Sequence, residues 1–415
     1  MIGNRLKTLR IQRNLTQEEL SEGIISSSYI SQIENDKKVI PRYIAEDLAN
    51  KLNVPVDYLL GKDLEKNVSS IKQQLVNAFR FIDEKNYAAF IQQVNELKQS
   101  HKESISHPDV RTYLQVANIF IEFKKKNYQA VKTMTTDLVK DAPHFDPYPH
   151  MIINRIQGGL AYFHHEYEES IAHYKKATDI AAVNEFKDQI GRLYQFMGTC
   201  HAIIDNFYKA IQAFYSALHW FQEVADLKGQ VCTYINLGNA LADIQEEEEA
   251  VRHYKKAQSL IAYLNDAYLE STIEYNMAFS EFNLNNISKA LSHLNRAIDI
   301  KKKLNDDCGL VRCQLLKCEI NLADQDLKEM RRTLFNMLYR MDHINDPQIL
   351  ARYYRTFGDY FYTHGKMHEY ENYYKKSIKY YEEINLSKEI SKLYFSLAEN
   401  TGNEQYYKYS AQHVN

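Results

Sequence analysis

Glycine recurs on a single register in this chain: Gly158, Gly198, Gly238 and Gly358, three of them forty residues apart and the fourth at three times that interval. Small residues continue the register at Ala78, Ala278, Cys318 and Ala398, and only Asn118 is polar. Twelve residues beyond the markers from Asn118 to Ala278 stands another small residue: Ala130, Ser170, Ala210, Ala250 and Ala290. A third follows seven further on, at Ala177, Ala217, Ala257, Ala297 and Ser377. Between the second and third lies a bulky position: Tyr174, Phe214, Tyr254, Leu294, Leu334 and Tyr374. A fixed period in this range marks a solenoid, in which each unit is one supersecondary motif stacked on its neighbours. Small residues at fixed offsets let two helices approach closely, and the bulky residue fills the space between units. Such an array forms a groove.

Composition favours helices throughout. The chain has 13 Gly and 7 Pro in 415 residues, so breakers are few, and no run reads as a parallel-sheet strand. Its 32 Tyr suit stacked helices, where a ring can be buried with its hydroxyl at the wet edge. The formal net charge of −3 gives no global bias toward nucleic acid or membrane. With no apolar run long enough to span a bilayer and no signal-peptide core, the expectation is a cytoplasmic protein without a membrane partner. Cys200, Cys232, Cys308, Cys313 and Cys318 read as free thiols, an odd set in helical settings. No phosphate loop, nucleophile triad or metal-ligand spacing is visible, so neither an enzyme nor a metal or other cofactor is expected. Adjacent His164 and His165 do not fall on one helical face.

The spacing of small and large residues resembles the tetratricopeptide repeat, most clearly in NLGNALADIQEEEEAVRHYKKA and FMGTCHAIIDNFYKAIQAFYSA. That repeat usually spans 34 residues; the six extra here imply longer helices or longer loops. The resemblance implies an all-α fold, a right-handed superhelix of about nine helical hairpins over residues 70–415, the last one shortened.

Residues 1–61 follow another pattern, with residues 62–69 expected as a linker. Leu6, Leu9 and Arg10 lie on a first helix. Thr16 with Glu19 reads as a capping box, and Leu15 with Leu20 as its staple. Ser26 or Ser27 caps a third helix with Ile30 and Ile33 inward. Pro41 and Pro55 suit first-turn positions, and Leu48, Leu52, Tyr58 and Leu59 supply core. The stretches LKTLRIQRNLTQEEL, SYISQIENDKK and LANKLNVPVDYLL resemble, in the correct order, the lambda-repressor-like or XRE helix-turn-helix domain. In that fold the third helix enters the major groove of double-stranded DNA. The resemblance makes Ser27, Ser28, Tyr29, Ser31 and Gln32 base-reading candidates and Gln17 a phosphate contact, with Arg5, Lys7, Arg13, Lys37, Lys38 and Arg42 flanking. Arg10 and Glu34 read as an internal ion pair. Because the domain is not basic overall, a dimer on a two-fold site is expected.

Such a DNA reader joined to such an array resembles the RNPP family of Gram-positive quorum-sensing regulators, in particular its NprR-type members. The resemblance implies a homodimer or higher homo-oligomer that binds a short re-imported signalling peptide in the groove and thereby controls DNA binding. It also leaves open two alternatives: an interaction protein that sequesters a sporulation response regulator, and a phage communication-peptide receptor. In a tetratricopeptide array the first helix of each hairpin lines the concave face. Its exposed positions give Arg192 and Arg312; Arg155, Gln195 and Tyr275; Asn236 and Asn276; then Asn239 and Asn283. An Asn carboxamide carries both donor and acceptor and can hold a peptide's backbone whatever its side chains, while an Arg can meet a carboxylate bidentately. The apolar C-terminal segment, with Tyr394, Phe395, Tyr406, Tyr407 and Tyr409, suggests a dimer contact.

Overall fold

A computed structural model of the protein describes residues 2–84, 86–100, 107–141 and 146–413. All the regular elements among them are α-helices. The chain divides into two compact units, Met1–Asn184 and Glu185–Asn415.

The first unit begins with α1 (Ile2–Gln12), α2 (Gln17–Ser21), α3 (Ser27–Glu34), α4 (Arg42–Leu52) and α5 (Val56–Leu59). Thr16 forms the expected capping box with Glu19, and Ser26 caps α3 by accepting from the Tyr29 N–H. Leu6, Leu9, Leu20, Ile30, Ile33, Leu48, Leu52 and Leu59 close one core. Tyr58 is not part of it: its ring is 39% exposed and lies under the Arg5 guanidinium at 5.0 Å. Pro41 and Pro55 stand at the N-cap, one residue before the first turns expected for them. A Cβ at Gly3 would sit 2.1 Å from the Ile33 carbonyl oxygen, so only glycine lets α1 lie this close to α3.

Residues 62–69, expected as a linker, instead begin α6 (Lys62–Asp83). Gly61 turns the chain at a φ of 78°, and no Gly or Pro interrupts the run that follows, so the helix starts at once. The first unit continues with α7 (Tyr87–Ser100), α8 (Pro108–Lys124), α9 (Tyr128–Asp141), α10 (Pro147–Phe163) and α11 (Tyr167–Val183). The second holds α12 (Lys187–Ile203), α13 (Phe207–Glu223), α14 (Leu227–Asp243), α15 (Glu247–Ile261), α16 (Ala267–Asn283) and α17 (Ile287–Lys303). It ends with α18 (Asp307–Ala323), α19 (Leu327–Met341), α20 (Pro347–Thr363), α21 (Met367–Glu383), α22 (Ser387–Thr401) and α23 (Gln405–Gln412). From α6 onward the helices pair in order as hairpins, nine among the described residues, the last shortened as the register predicts.

The six extra residues per repeat lie in the helices. In the second unit the helices of every hairpin but the last have 15 or 17 residues, and three-residue turns join the two helices of each hairpin. The middle residue of each turn is left-handed: Asp205, Ala225, Gln245, Asn285 and Asn305 have φ between 54° and 66°. Each hairpin closes through its register pair. A Cβ at Gly198 would meet the Phe214 ring at 2.5 Å, one at Gly238 the Tyr254 ring at 2.3 Å, and one at Gly358 the Tyr374 ring at 2.4 Å.

Gly238→Ala is therefore expected to destabilise the second unit despite its better helix propensity. Overpacking costs about 1–3 kcal/mol, against roughly 1 kcal/mol returned by propensity. Denaturant melts of Gly238→Ala alone and with Tyr254→Leu check this. The double variant should recover part of the loss, and a single variant as stable as wild type would show that the ring can move aside freely.

Candidate functional site

The outer face of α3 carries Ser28 exposed and Ser27, Tyr29, Ser31 and Gln32 half-buried. The side chain of Gln32 has no hydrogen-bond partner among the described residues, so its carboxamide is open to a ligand. Lys37 and Lys38 are exposed just beyond the helix, and the Lys38 ammonium lies 4.6 Å over the Tyr29 ring. Beneath this face Glu34 is buried. It accepts from Arg10 Nε at 2.6 Å and Nη2 at 3.2 Å, which is the expected internal ion pair. It also accepts from Gln17 Nε2 at 2.7 Å. The Gln17 amide thus braces α2 against α3, with its carbonyl oxygen and one N–H left over. Arg5 donates to the Tyr58 carbonyl at 2.7 Å and Arg42 pairs with Glu46 at 3.1 Å, so neither is idle.

In the second unit, successive first helices α12, α14, α16, α18 and α20 touch one another, and the second helices make no comparable contact. The first helices therefore form the inner side of a curved stack. Asn236 is half-buried there with no partner among the described residues. Asn239 Oδ1 accepts from Asn276 Nδ2 at 2.8 Å and from the Tyr254 hydroxyl at 2.8 Å. This pairing leaves Asn239 Nδ2 as a donor and Asn276 Oδ1 as an acceptor on neighbouring helices. Asn283 is tied elsewhere, donating to Glu247 Oε1 at 2.5 Å. Gln195 donates to Thr233 Oγ1 at 3.3 Å.

The arginines expected to meet a carboxylate each already hold one. Arg155, in the first unit, donates to Asp83 at 2.5 Å. Arg192 pairs with Asp226 at 2.9 Å and Arg312 with Asp346 at 2.8 Å. These aspartates belong to a series at forty-residue spacing, Asp226, Asp266, Asp306 and Asp346, that caps α14, α16, α18 and α20. One carboxylate oxygen takes the first-turn N–H, and the other takes a basic side chain: Arg192, Lys228, Lys301 or Arg312. The spacing is readable from the sequence as a forty-residue recurrence of Asp.

A second group on this face was not anticipated. Glu319 on α18 accepts from Arg352 Nε at 2.9 Å, Arg352 Nη2 at 2.6 Å and Arg355 Nη2 at 2.6 Å. Arg352 Nη1 donates to the Tyr275 hydroxyl at 3.0 Å, linking α20 to α16 past α18. These residues occupy the same repeat positions as Arg192, Gln195 and Asn239, so extending the register to α18 and α20 finds them. Burial alone would raise the Glu319 pKa. The hydrogen bond from Arg352 and the charges of Arg352 and Arg355 hold it below the ordinary value. Glu274, also buried, behaves likewise. Burial is outweighed by hydrogen bonds from His293 and Gln258 and by the Arg296 and His293 charges.

Among the described residues no cluster of His, Cys, Asp or Glu is arranged to hold a metal ion, and no helix is long and apolar enough to cross a membrane. Cys200, Cys313 and Cys318 are buried, Cys232 is half-buried and Cys308 exposed, all as free thiols. Burial pushes the Cys313 thiol up to about 12.

Fold and faces together define a helix-turn-helix protein with a tetratricopeptide-type array. Residues 3–64 match the helix-turn-helix domain family HTH_19. The transcriptional activator NprA of Geobacillus stearothermophilus is 22% identical over 284 residues, 68% of each chain. The fold is similar to the apo form of the quorum sensor NprR from B. thuringiensis, with a TM-score of 0.67 at 14% identity over 83% of this chain and 97% of that one. For NprR in complex with its cognate peptide NprX the TM-score is 0.53 at 14% identity, over 80% and 99%. The apo form of RapI gives 0.67 at 16% identity, over 83% and 97%. The chain thus joins an N-terminal helix-turn-helix domain to a run of helical repeats.

Both carboxylates are held below their ordinary 4.5 in the folded state. Their contribution is present above that value and is lost as pH falls through the lowered folded pKa. The second unit should therefore lose stability on acidification below about pH 4.5. Glu274→Gln should melt less cooperatively with acid, with a shallower fall of melting temperature between neutral pH and the acid limb. An unchanged slope would place the acid-sensitive group elsewhere.

Proposed function

We propose that this protein is a cytoplasmic transcriptional regulator that reads DNA with α3 and is controlled by a short peptide lying along the inner face of the array. The observation that carries the reading is the set of unsatisfied amide groups on that face: Asn236, the Asn239 amide nitrogen and the Asn276 carbonyl. Folding alone could have filled these positions with alanine or leucine. A carboxamide donor and acceptor side by side suit the N–H and C=O of a peptide backbone, each bond worth on the order of 1 kcal/mol net. The likeness to NprR, whose structure with its cognate peptide is known, supports the same reading. A ligand can shift the protein between two arrangements only by its differential affinity for them. A homodimer would present two α3 helices to the halves of a two-fold site.

Two measurements test this. In binding titrations on duplexes selected from a random pool, Gln32→Ala should cost about 1–3 kcal/mol, confined to one base pair of each half-site. Lys37→Ala or Lys38→Ala should weaken all sequences alike and flatten the salt dependence. Gln32→Ala binding as tightly as wild type would remove α3 from the base edges. For the array, a peptide selected from a random library is titrated calorimetrically against wild type, Asn236→Ala and Asn276→Ala. Each variant should lose about 1–3 kcal/mol with helix content intact; unchanged affinity in both would sink the amide clamp.

A further inference from the structure

On the inner face of the second unit, two arginines hydrogen-bond a single carboxylate. Arg192 and Arg312 each have an aspartate of their own. Arg352 and Arg355 share the carboxylate of Glu319, whose Oε1 accepts from both, at 2.9 and 2.6 Å. Arg352 uses all three of its nitrogens, with Nε and Nη2 on Glu319 and Nη1 on the Tyr275 hydroxyl. Arg355 commits only Nη2, and its Nε and Nη1 have no partner among the described residues. The other acid nearby, Asp359 on α20, takes the Tyr374 hydroxyl at 2.5 Å; its charge acts on Arg355, but it makes no hydrogen bond to that guanidinium. Tyr381 supplies no second carboxylate, only a phenol.

The group is partly withdrawn from water, with the Glu319, Arg352 and Arg355 side chains 17%, 21% and 27% exposed. At such a place the repulsion between two guanidiniums is screened less than at an open surface. A second carboxylate would relieve it and could engage the open edge of Arg355 through two parallel N–H bonds. The neighbouring residue of Tyr275 is Asn276, so the arginine pair and the amide ladder are joined through α16.

We propose that Arg352 and Arg355 form the carboxylate-binding end of the groove. Glu319 holds the two guanidiniums in place, and a peptide carboxylate, from a C-terminus or from an Asp or Glu side chain, supplies the second anion. The inference rests on the peptide reading above and names the chemistry that the reading leaves open.

Three random heptapeptide pools test it on the full chain: free-acid peptides lacking Asp and Glu, amidated peptides containing them, and amidated peptides lacking them. Immobilised wild-type protein should retain at least one carboxylate-bearing pool about tenfold better than the neutral pool, a difference of about 1.4 kcal/mol. Preference for the free-acid pool assigns the site to a C-terminus, and preference for the amidated acidic pool to a side chain. Arg355→Gln should bring the preferred pool down to the neutral level with an unchanged melting curve. Glu319→Gln, which removes the resident negative charge while keeping an acceptor for the guanidiniums, should raise the preference several-fold, whereas a cluster that only braces helices would show no change or a loss. Equal retention of all three pools by wild type overturns the carboxylate site and leaves the peptide reading standing. Retention of none overturns both.

Discussion

The hairpins of this array depend on a bulky side chain laid against a small one on the facing helix, most closely where an aromatic ring meets glycine. Where Gly198, Gly238 and Gly358 face Phe214, Tyr254 and Tyr374, a single added carbon would stand 2.3–2.5 Å from the aromatic ring. The two helices are thus fixed at the distance set by a ring's thickness. That spacing lets successive first helices touch, and their contact places Asn239 beside Asn276 and Arg352 beside Tyr275. Side chains far apart in sequence meet because each hairpin repeats one close approach.

The same positions show what a sequence can and cannot disclose. The glycine register, the hairpin number and the caps at Thr16 and Ser26 were legible because each is a local rule with a fixed offset. Tyr58 was misplaced because its apolar spacing fits a core, whereas the ring lies beneath Arg5. The linker was misplaced because a change of pattern looks like a gap, although α6 starts directly after Gly61. The polar residues on the inner face were found by register, but their partners were not. Asn283 with Glu247 and Arg192 with Asp226 are 36 and 34 residues apart, pairings that exist only once the stack is formed.

In the N-terminal domain one carboxylate sets the placement of α3. Glu34 collects Arg10 from α1 and Gln17 from α2 while its own helix presents Gln32 outward. The orientation of α3 is set from behind by charge-assisted bonds, which are stronger than neutral ones. On its outward face the Gln32 carboxamide has no partner among the described residues.

Asn236 and Asn276 stand at the same place on helices that touch, and packed helices lie about 8–10 Å apart. A polyproline II chain rises about 3.1 Å per residue and returns to the same side every third residue, after roughly 9 Å. A β-strand returns every second residue, after nearly 7 Å. Any chain running across these helices therefore meets them in step if it is wound as polyproline II and out of step if it is a strand. The array's period is in this sense a ruler for backbone conformation, and its markings have threefold spacing.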